Sequence, residues 1–327
     1  MFRKSFLSSL LALMLLLGAC SPATPVLPTV TPTIAATAAP ESSPTPTSIV
    51  LIDGLGRTVA LAAPAQHIVS IAPSSTEILF AIGAGAQVIG RDHNSDYPEQ
   101  AKKVADIGGS DVYDKLNTEL IMSVKPDLVL AAHITPPEQI KALEDLGITV
   151  FMLSNPTDLN GMYDNLRTTA KLTGHESETE TLITSLQARV KAVEDKIANA
   201  QEKPLVFYEI DSSDTKAPWT SGPGTFIDTL ITIAGGRNVG ASLKDQWAQI
   251  SLEELVRQDP DVIVLGDAVW GGITPELVKQ RGGWESLTAV KNDKIFPFDD
   301  SIMSRPGPRL VDGLEAFVKL FHPALFQ

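Results

Sequence analysis

Residues 113–131 read YDKLNTELIMSVKPDLVLA, and residues 247–265 read WAQISLEELVRQDPDVIVL. The two stretches align without a gap, because their first residues (113 and 247) and their prolines (126 and 260) are both 134 positions apart. Each copy runs from an aromatic residue through a helix-capping residue and a short helix to Pro-Asp and an apolar strand. A duplicated αβ unit predicts two similar lobes that face each other across a cleft.

The segments around this repeat predict an α/β fold. Apolar strands alternate with helices along residues 49–174 and again along residues 203–327, which is typical of Rossmann-like lobes whose parallel sheets are covered by helices. Between them, apolar residues recur at intervals of three and four within residues 175–202. This spacing predicts a single long α-helix that joins an N-terminal lobe to a C-terminal lobe, with the ligand cleft between them.

The N-terminus has the features of a processing signal. Residues 1–19 place two basic residues ahead of an apolar run that is too short to span a bilayer. The run ends in Leu-Gly-Ala-Cys, which resembles a bacterial lipoprotein cleavage box, and Cys20 is the only cysteine. We therefore predict a lipid on Cys20, a Pro/Thr/Ala-rich tether over residues 20–48, and an extracytoplasmic, membrane-anchored protein. The alternative is an ordinary signal peptide with an incidental cysteine.

Composition and motifs exclude several functional classes. The net charge is −13 and there is no basic run, so nucleic acid and anionic lipid headgroups are poor partners. Because nucleophile elbows, phosphate loops and His-Glu-x-x-His motifs are missing, we predict that the protein is not an enzyme and has no cofactor. We also expect a monomer. The histidines are not spaced as metal ligands, although His93 and His133 fall in expected cleft loops. A zinc or manganese carrier and a surface enzyme are the weaker alternatives.

Two glutamates occupy matching positions in the repeat. Glu119 and Glu253 each lie two residues after a capping residue, Asn117 or Ser251. A carboxylate in the first turn of a helix interacts favourably with the helix dipole, and this structural role is one interpretation. Their duplication favours a second interpretation, in which the two glutamates are well separated and bind two basic sites on a partner protein.

Aromatic and basic residues are the candidates for ligand contact. Tyr113 and Trp247 open the two copies of the repeat, in predicted loops, and Trp219 lies in a further predicted loop. Loops at the strand ends of α/β sheets line ligand crevices, so these rings could enclose a flat or bulky ligand. The alternative is that each ring packs into its own lobe. Arg305 and Arg309 flank a Pro-Gly-Pro segment, which predicts either an anion or amide contact or salt bridges in this acidic protein.

Two further patterns indicate helix caps. Ser74-x-x-Glu77 has the spacing of a capping box, in which the serine and the glutamate satisfy each other's backbone N–H groups. Thr225-x-x-Asp228 is a looser version of this pattern in the second lobe. We therefore predict a structural role for both pairs.

Four segments resemble the periplasmic solute-binding proteins, in the class that serves ABC importers of vitamin B12, ferric siderophores and haem. These segments are IVSIAPSSTEIL at 68–79, SDYP at 95–98, KPDLV at 125–129 and SLEEL at 251–255, and the resemblance covers residues 49–322. In that family, one long helix joins two lobes that move little, and the ligand lies between them. The resemblance also implies a role for Glu119 and Glu253, since one glutamate in each lobe docks onto arginines of the permease.

Within this class, the closest pattern is that of cobalamin-binding members. Trp247 matches a corrin-contacting tryptophan, Tyr113 and Trp219 fall at aromatic contact positions, and Arg305 matches an arginine of the C-terminal loop. Three contact positions depart from the pattern: Asn94, Ala132 and Ser301. The resemblance therefore implies a corrinoid ligand, with haem or a ferric siderophore as the alternative. The expected ligand contacts are Tyr113, Trp219, Trp247, Arg305, Asn94 and His133.

Overall fold

The structure, a computed structural model, describes residues 48–109 and 115–326. These residues form thirteen β-strands and ten α-helices, with short 3₁₀ turns between them. The predictions for the signal peptide, Cys20, most of the tether and Tyr113 lie outside the described residues. Among the helices of the described ranges, none is both long and apolar enough to cross a bilayer.

The N-terminal lobe is built on a parallel sheet. Its strands are β1 (Ile49–Ile52), β2 (Thr58–Leu61), β3 (Ile68–Ser70), β4 (Val88–Arg91), β5 (Ala105–Asp106), β6 (Leu128–Ala131) and β7 (Val150–Met152). Strands β1 and β2 form an antiparallel hairpin, and the other five lie parallel in the order β5-β4-β3-β6-β7. The helices of this lobe are α1 (Pro73–Ala81), α2 (Thr118–Ser123) and α3 (Pro137–Asp145). Strands β3, β6 and β7 are buried throughout, as expected for a sheet that is covered on both faces.

Two helices follow the first sheet, α4 (Leu159–Thr173) and α5 (Glu176–Ile197). Helix α5 buries a stripe at spacings of three and four residues, formed by Ile183, Leu186, Val190 and Val193. These side chains belong to one apolar cluster that also contains residues from the sheets of both lobes. The predicted long helix therefore joins the lobes through a shared core as well as through the chain.

The C-terminal lobe contains a mixed sheet. Its strands are β8 (Leu205–Asp211), β9 (Trp219–Ser221), β10 (Arg237–Asn238), β11 (Trp247–Gln249), β12 (Val262–Leu265) and β13 (Ile295–Pro297), and its helices are α6 (Phe226–Ile233), α7 (Leu252–Gln258), α8 (Pro275–Lys279), α9 (Thr288–Lys291) and α10 (Leu310–Phe321). Strands β8, β12 and β13 are parallel, β10 pairs with β8, and β9 and β11 add an antiparallel edge. The predicted fold class is confirmed, and this antiparallel edge is an addition to it.

The sequence repeat is also a structural repeat. In each copy the capping residue, Asn117 or Ser251, accepts a hydrogen bond from the backbone N–H three residues further on, at 3.0 and 3.2 Å. The short helices α2 and α7 then bury one apolar side chain at the same repeat position, Ile121 and Leu255, both at 0% exposure. Each helix is therefore fixed to its lobe by a cap and a buried anchor.

The Pro-Asp segments of the repeat have the same local structure in both lobes. The residue before each proline adopts a left-handed conformation with a φ of 52°. Asp127 then accepts a hydrogen bond from the backbone N–H of His67 at 3.1 Å, and Asp261 accepts one from that of Leu205 at 2.7 Å. In both lobes this aspartate connects the end of the repeat helix to the beginning of the neighbouring strand.

Candidate functional site

A cavity of about 420 Å³ lies between the two lobes. On the N-terminal side it is formed by residues that follow β3, β6 and β7. On the other side it is formed by β8, the start of α6, the start of β11, and the segment after β13. Carboxyl ends of parallel strands are the usual place for ligand sites in α/β sheets. Its volume falls within the range of roughly 300–1,000 Å³ found for small-molecule sites.

The two walls of the cavity differ in chemistry. The N-terminal lobe contributes aliphatic, amide and histidine side chains, including Ile78, Ala132, His133, Ile134, Asn155 and Asn165. The C-terminal lobe contributes aromatic and charged side chains, including Tyr208, Phe226, Trp247, Asp300 and Arg305. Among the described lining residues, every phenylalanine, tyrosine and tryptophan comes from the C-terminal lobe. Burial raises the pKa of Asp300 above its ordinary value.

Trp247 is the exposed ring of the aromatic wall. It packs edge-on against Phe226 with ring centroids 5.9 Å apart, and 38% of its surface remains accessible. The prediction that Trp219 and Trp247 lie in loops is wrong, because β9 and β11 pair antiparallel and carry them. Trp247 lies opposite Ser221, so Trp219 is two residues away on the same face of this ribbon. This displacement explains why Trp219 does not line the cavity.

Of the other predicted ligand contacts, some line the cavity and others do not. His133 lies in the turn after β6, is exposed to solvent, and lines the cavity. Asn94 is exposed and does not line it; its backbone carbonyl accepts a hydrogen bond from Arg305 Nη2 at 3.3 Å. The position of Tyr113 lies outside the described residues. The described cavity therefore combines Trp247, Arg305 and His133, and Asn94 is not among its lining residues.

Arg305 and Arg309 reach across the cleft to the N-terminal lobe. Arg309 donates to both carboxylate oxygens of Glu77, with a distance of 2.8 Å from its Nε. The Nη1 of Arg305 donates to Glu77 at 3.2 Å and to Asp96 at 2.5 Å. We call Glu77, Asp96, Arg305 and Arg309 the interlobe clamp. The salt-bridge interpretation of the two arginines is therefore the observed one, with Arg305 also lining the cavity.

The predicted capping box at Ser74 and Glu77 is wrong. Helix α1 begins after Ala72 with Pro73 in its first turn, and no side chain caps it. Glu77 is 2% exposed and faces the arginines of the other lobe. A buried carboxylate requires a partner. The signal for this role in the sequence is a charged residue directly before the apolar run of the helix.

The second cap prediction is confirmed. Thr225 caps helix α6, since its hydroxyl accepts a hydrogen bond from the Asp228 backbone N–H at 3.1 Å. The Asp228 carboxylate in turn accepts from the backbone N–H of Gly224 at 3.2 Å, one residue before the cap. The looser of the two patterns is therefore the one that forms a cap.

The clamp is electrostatically balanced. Burial opposes the charge of Arg305, but the carboxylates of Asp96 and Glu77 outweigh it and raise the pKa of Arg305. Burial would likewise raise the pKa of Asp96, but the hydrogen bond and charge of Arg305 lower it overall. The guanidinium of Arg309 also lies over the ring of Tyr97, 4.0 Å from its centroid, in cation–π geometry. Both lobes therefore contribute opposite charges to one shielded junction beside the cavity.

A second buried charged cluster, which was not predicted, includes Glu209, the residue after Tyr208 in β8. Arg281 donates to the two carboxylate oxygens of Glu209 at 2.5 and 3.0 Å and to the Ser212 hydroxyl at 2.8 Å. The Ser212 hydroxyl donates to Asp267 at 2.5 Å. Burial raises the pKa of Glu209 to about 7, although Arg281 acts in the opposite direction. In the described residues, no group of three or more His, Cys, Asp or Glu side chains is placed to hold a metal ion.

The two repeat glutamates lie on the surface. Glu119 and Glu253 are exposed in the first turns of α2 and α7, at the same repeat position. In the described ranges, no side chain forms a hydrogen bond or ion pair with either carboxylate. The adjacent Glu254 differs, because Arg257 donates to it at 2.7 Å. Within the described residues, each copy of the repeat therefore has one carboxylate without a side-chain partner.

Two α/β lobes that share one helix and enclose a cavity are the architecture expected of the solute-binding proteins that the sequence resembles. The sequence model of the family described as "Periplasmic binding protein" matches residues 68–301. The chain therefore belongs to the periplasmic binding protein family, and it is of the substrate-binding type that serves ABC importers. The family resemblance predicted from the sequence is confirmed.

Relatives with known names agree with this class. The chain is 30% identical to an uncharacterized ABC transporter substrate-binding lipoprotein, YvrC, of Bacillus subtilis (strain 168), over 85% of this chain and 87% of that protein. It is 25% identical to the vitamin B12 binding protein BtuF of Vibrio cholerae, with a TM-score of 0.67 over 81% of this chain and 99% of that one. The haem-binding protein RhuT from Roseiflexus sp. RS-1 is also 25% identical, with a TM-score of 0.71 over 80% and 99%. These relatives are named as binding proteins and not as enzymes.

Proposed function

We propose that this chain captures a corrinoid in the cavity between its lobes and delivers it to the permease of an ABC importer. The observation that supports this ligand most is the aromatic wall of the C-terminal lobe, with Trp247 exposed at its surface. A large flat ring system gains apolar contact and stacking from such a wall. Ile134 and Trp247 remain 59% and 38% exposed, so the cavity is open at its rim and a bulky ligand can extend beyond it.

The shared core and the clamp support tight binding. Because α5 packs into both lobes and Arg309 bonds Glu77, the cavity is preformed. A preformed site lowers the entropic cost of ordering on binding. A relative named as a vitamin B12 binding protein agrees with a corrinoid, and a relative named as haem-binding is equally similar in sequence.

Haem is the second candidate. His133 lines the N-terminal wall with an exposed ring, and imidazole is a usual axial ligand of haem iron. The relative RhuT is named as haem-binding. A ferric siderophore is less favoured, because the described arginines at the cavity are already paired with carboxylates.

Tryptophan fluorescence of the purified protein, titrated with cyanocobalamin, haem or a ferric hydroxamate, tests the ligand. We expect saturable quenching by cyanocobalamin at sub-micromolar concentration, lost in Trp247→Ala. Trp270→Ala is the matched control, because Trp270 is 59% exposed but does not line the cavity. Saturation by haem alone, with a Soret band that shifts in His133→Ala, would replace the corrinoid by haem and leave the transport role intact.

We also propose how the protein is placed for transport. A lipid on Cys20 would hold a monomeric binding protein at the outer face of the cell membrane, and residues 20–48 would act as its tether. Glu119 and Glu253 would then meet basic residues of the permease. Fractionation of cells that carry Cys20→Ser checks the anchor: the protein is expected in the soluble extracytoplasmic fraction, and retention in the membrane fraction would contradict lipidation at this residue.

A further inference from the structure

The cationic side chain of the cavity wall is Arg305. Among the described lining residues it is the only arginine or lysine, and its side chain is 17% exposed. A ligand with a carboxylate would need this guanidinium, because a negative charge that leaves water requires a cationic partner. The contacts of Arg305 therefore determine whether the cavity can accept an anionic ligand.

The acceptors around Arg305 are already in place. Its Nη1 donates to Asp96 at 2.5 Å and to Glu77 at 3.2 Å, and its Nη2 donates to the carbonyl oxygen of Asn94 at 3.3 Å. Glu77 is shared, since Arg309 donates to both of its carboxylate oxygens. Asp96 is therefore the carboxylate that neutralises Arg305, and an anionic ligand would have to displace it.

The turn that carries Asp96 is fixed on both sides. Ser95 is completely buried, and its hydroxyl is hydrogen bonded to Asp92 at 2.5 Å and to Thr76 at 2.8 Å. On the other side, the ring of Tyr97 packs on an arginine of the clamp, with its centroid 4.0 Å from the guanidinium. The Asp96 side chain is 59% exposed, so water would satisfy its carboxylate without a partner. Burial of this carboxylate therefore does not explain why it is held against Arg305.

The acidic residue of the cavity wall reinforces this balance. Asp300 is the only aspartate or glutamate among the described lining residues. An ionised Asp300 would repel an anionic ligand, and a protonated Asp300 would still supply no cation. Because Asp96 already balances the charge of Arg305, the described wall has no net positive charge to offer to an anion.

We propose that Asp96 is a specificity residue, which occupies the guanidinium of Arg305 and thereby rejects ligands whose carboxylates need that cation. An uncharged ligand with amide side chains, such as a corrinoid, is bound without displacement of Asp96. A binding site gains specificity when the wrong ligand would leave a charge unpaired. This inference rests on the proposed function and deepens it, because it names the class of ligand that the cavity accepts and the class that it rejects.

Fluorescence titration of the purified protein with matched ligands tests this role. Cyanocobalamin is compared with its monocarboxylates, in which one propionamide of the corrin is hydrolysed to a carboxylate. Asp96→Asn keeps the shape of the side chain and removes its charge. We expect this variant to bind at least one monocarboxylate about tenfold more tightly than wild type does, and to change the affinity for cyanocobalamin by less than about twofold.

The matched control is Asp106→Asn, which removes the same charge from the same lobe. Asp106 lies 3.5 Å from Arg91, and the two side chains are 49% and 12% exposed, much like those of Asp96 and Arg305. Asp106 does not line the cavity. This variant should therefore bind all of these ligands as wild type does, and equal tightening by both variants would overturn the role of Asp96.

Haem, which carries two propionate carboxylates, separates failure of this inference from failure of the proposed function. If wild type binds cyanocobalamin, and Asp96→Asn binds every carboxylate ligand as wild type does, the role of Asp96 is overturned and the corrinoid proposal stands. If wild type binds haem and no corrinoid, the corrinoid proposal is overturned and haem alone tests Asp96. Binding of haem about tenfold more tightly by Asp96→Asn would then support its role, and unchanged binding would overturn it.

Discussion

The two copies of the repeat share their inward-facing residues and differ in outward-facing ones. Each has a capping residue, a completely buried anchor and a left-handed residue before proline. On the outside, Leu120 in the first copy stands where the second copy has Glu254, which is paired with Arg257. The backbone and core therefore require the same residue types twice, whereas exposed positions vary freely, except for the glutamate and the apolar residue three positions later, Met122 or Val256, that both copies keep.

The two cleft walls, unlike the buried positions of the repeat, differ in residue type between the lobes. Although the lobes have related folds, the phenylalanine, tyrosine and tryptophan rings of the described wall come from the C-terminal lobe alone. The N-terminal wall is formed by aliphatic and amide side chains and by His133. A ligand that lies between two lobes has two different sides, so each wall is adapted separately. The interlobe clamp is the point where the unlike lobes are joined by charge.

The largest expected effect concerns this junction. Glu77→Ala would leave Arg305 and Arg309 with too few carboxylate partners in a shielded site, and we expect it to lower the free energy of unfolding by about 3–5 kcal/mol. Glu180→Ala is the matched control, because Glu180 forms the same two-pronged pair with Arg167 but is 55% exposed. Its cost should be much smaller, because an ion pair that is exposed to solvent contributes little to stability. Urea unfolding measures both, and equal costs would show that the clamp is no stronger than a surface pair.

The next largest effect tests whether the buried anchors of the two copies contribute equally to stability. Ile121→Ala and Leu255→Ala each empty a completely buried position, so each should cost about 2–5 kcal/mol of unfolding free energy. Met122→Ala and Val256→Ala, one residue further on, change exposed positions and should stay within about 0.5 kcal/mol. Denaturant unfolding of the four variants makes the comparison. A marked loss in only one lobe would mean that the repeat is a likeness of sequence and not of packing.

The smallest effect should have opposite signs in the two copies. Lys125 and Asp259 both have a φ of 52°, a conformation that costs most L-residues energy and costs glycine none. Lys125→Gly should therefore stabilise the protein by a few tenths to about 1 kcal/mol. Asp259→Gly should destabilise it by about 1 kcal/mol, because the carboxylate accepts bonds from the Thr288 backbone N–H and hydroxyl at 2.6 and 2.7 Å. Calorimetry measures the melting temperatures of both variants. Shifts of the two melting temperatures in the same direction would contradict this prediction.

Sequence reasoning worked where the signal was local and failed where it was not. The strand that follows each Pro-Asp and the stripe of α5 are visible as apolar runs or as three-and-four spacing, and both are present. Strands β9 and β11 contain three residues each, too few to show alternation, so the sequence predicts loops at Trp219 and Trp247. The spacing of Ser74 and Glu77 matched a capping box, yet the helix begins earlier at Pro73 and the glutamate serves another lobe.

By itself, the sequence determined the two-lobed α/β architecture, the joining helix and the duplicated glutamates, because periodicity and repetition are properties of neighbouring residues. Only the tertiary structure decided that Glu77 meets Arg305 and Arg309, and that Trp247 lines the cavity while Trp219 does not. These outcomes depend on which distant segments the fold brings together. An ion pair across more than two hundred residues has no spacing that the sequence can display, since its energy depends on distance and burial in space.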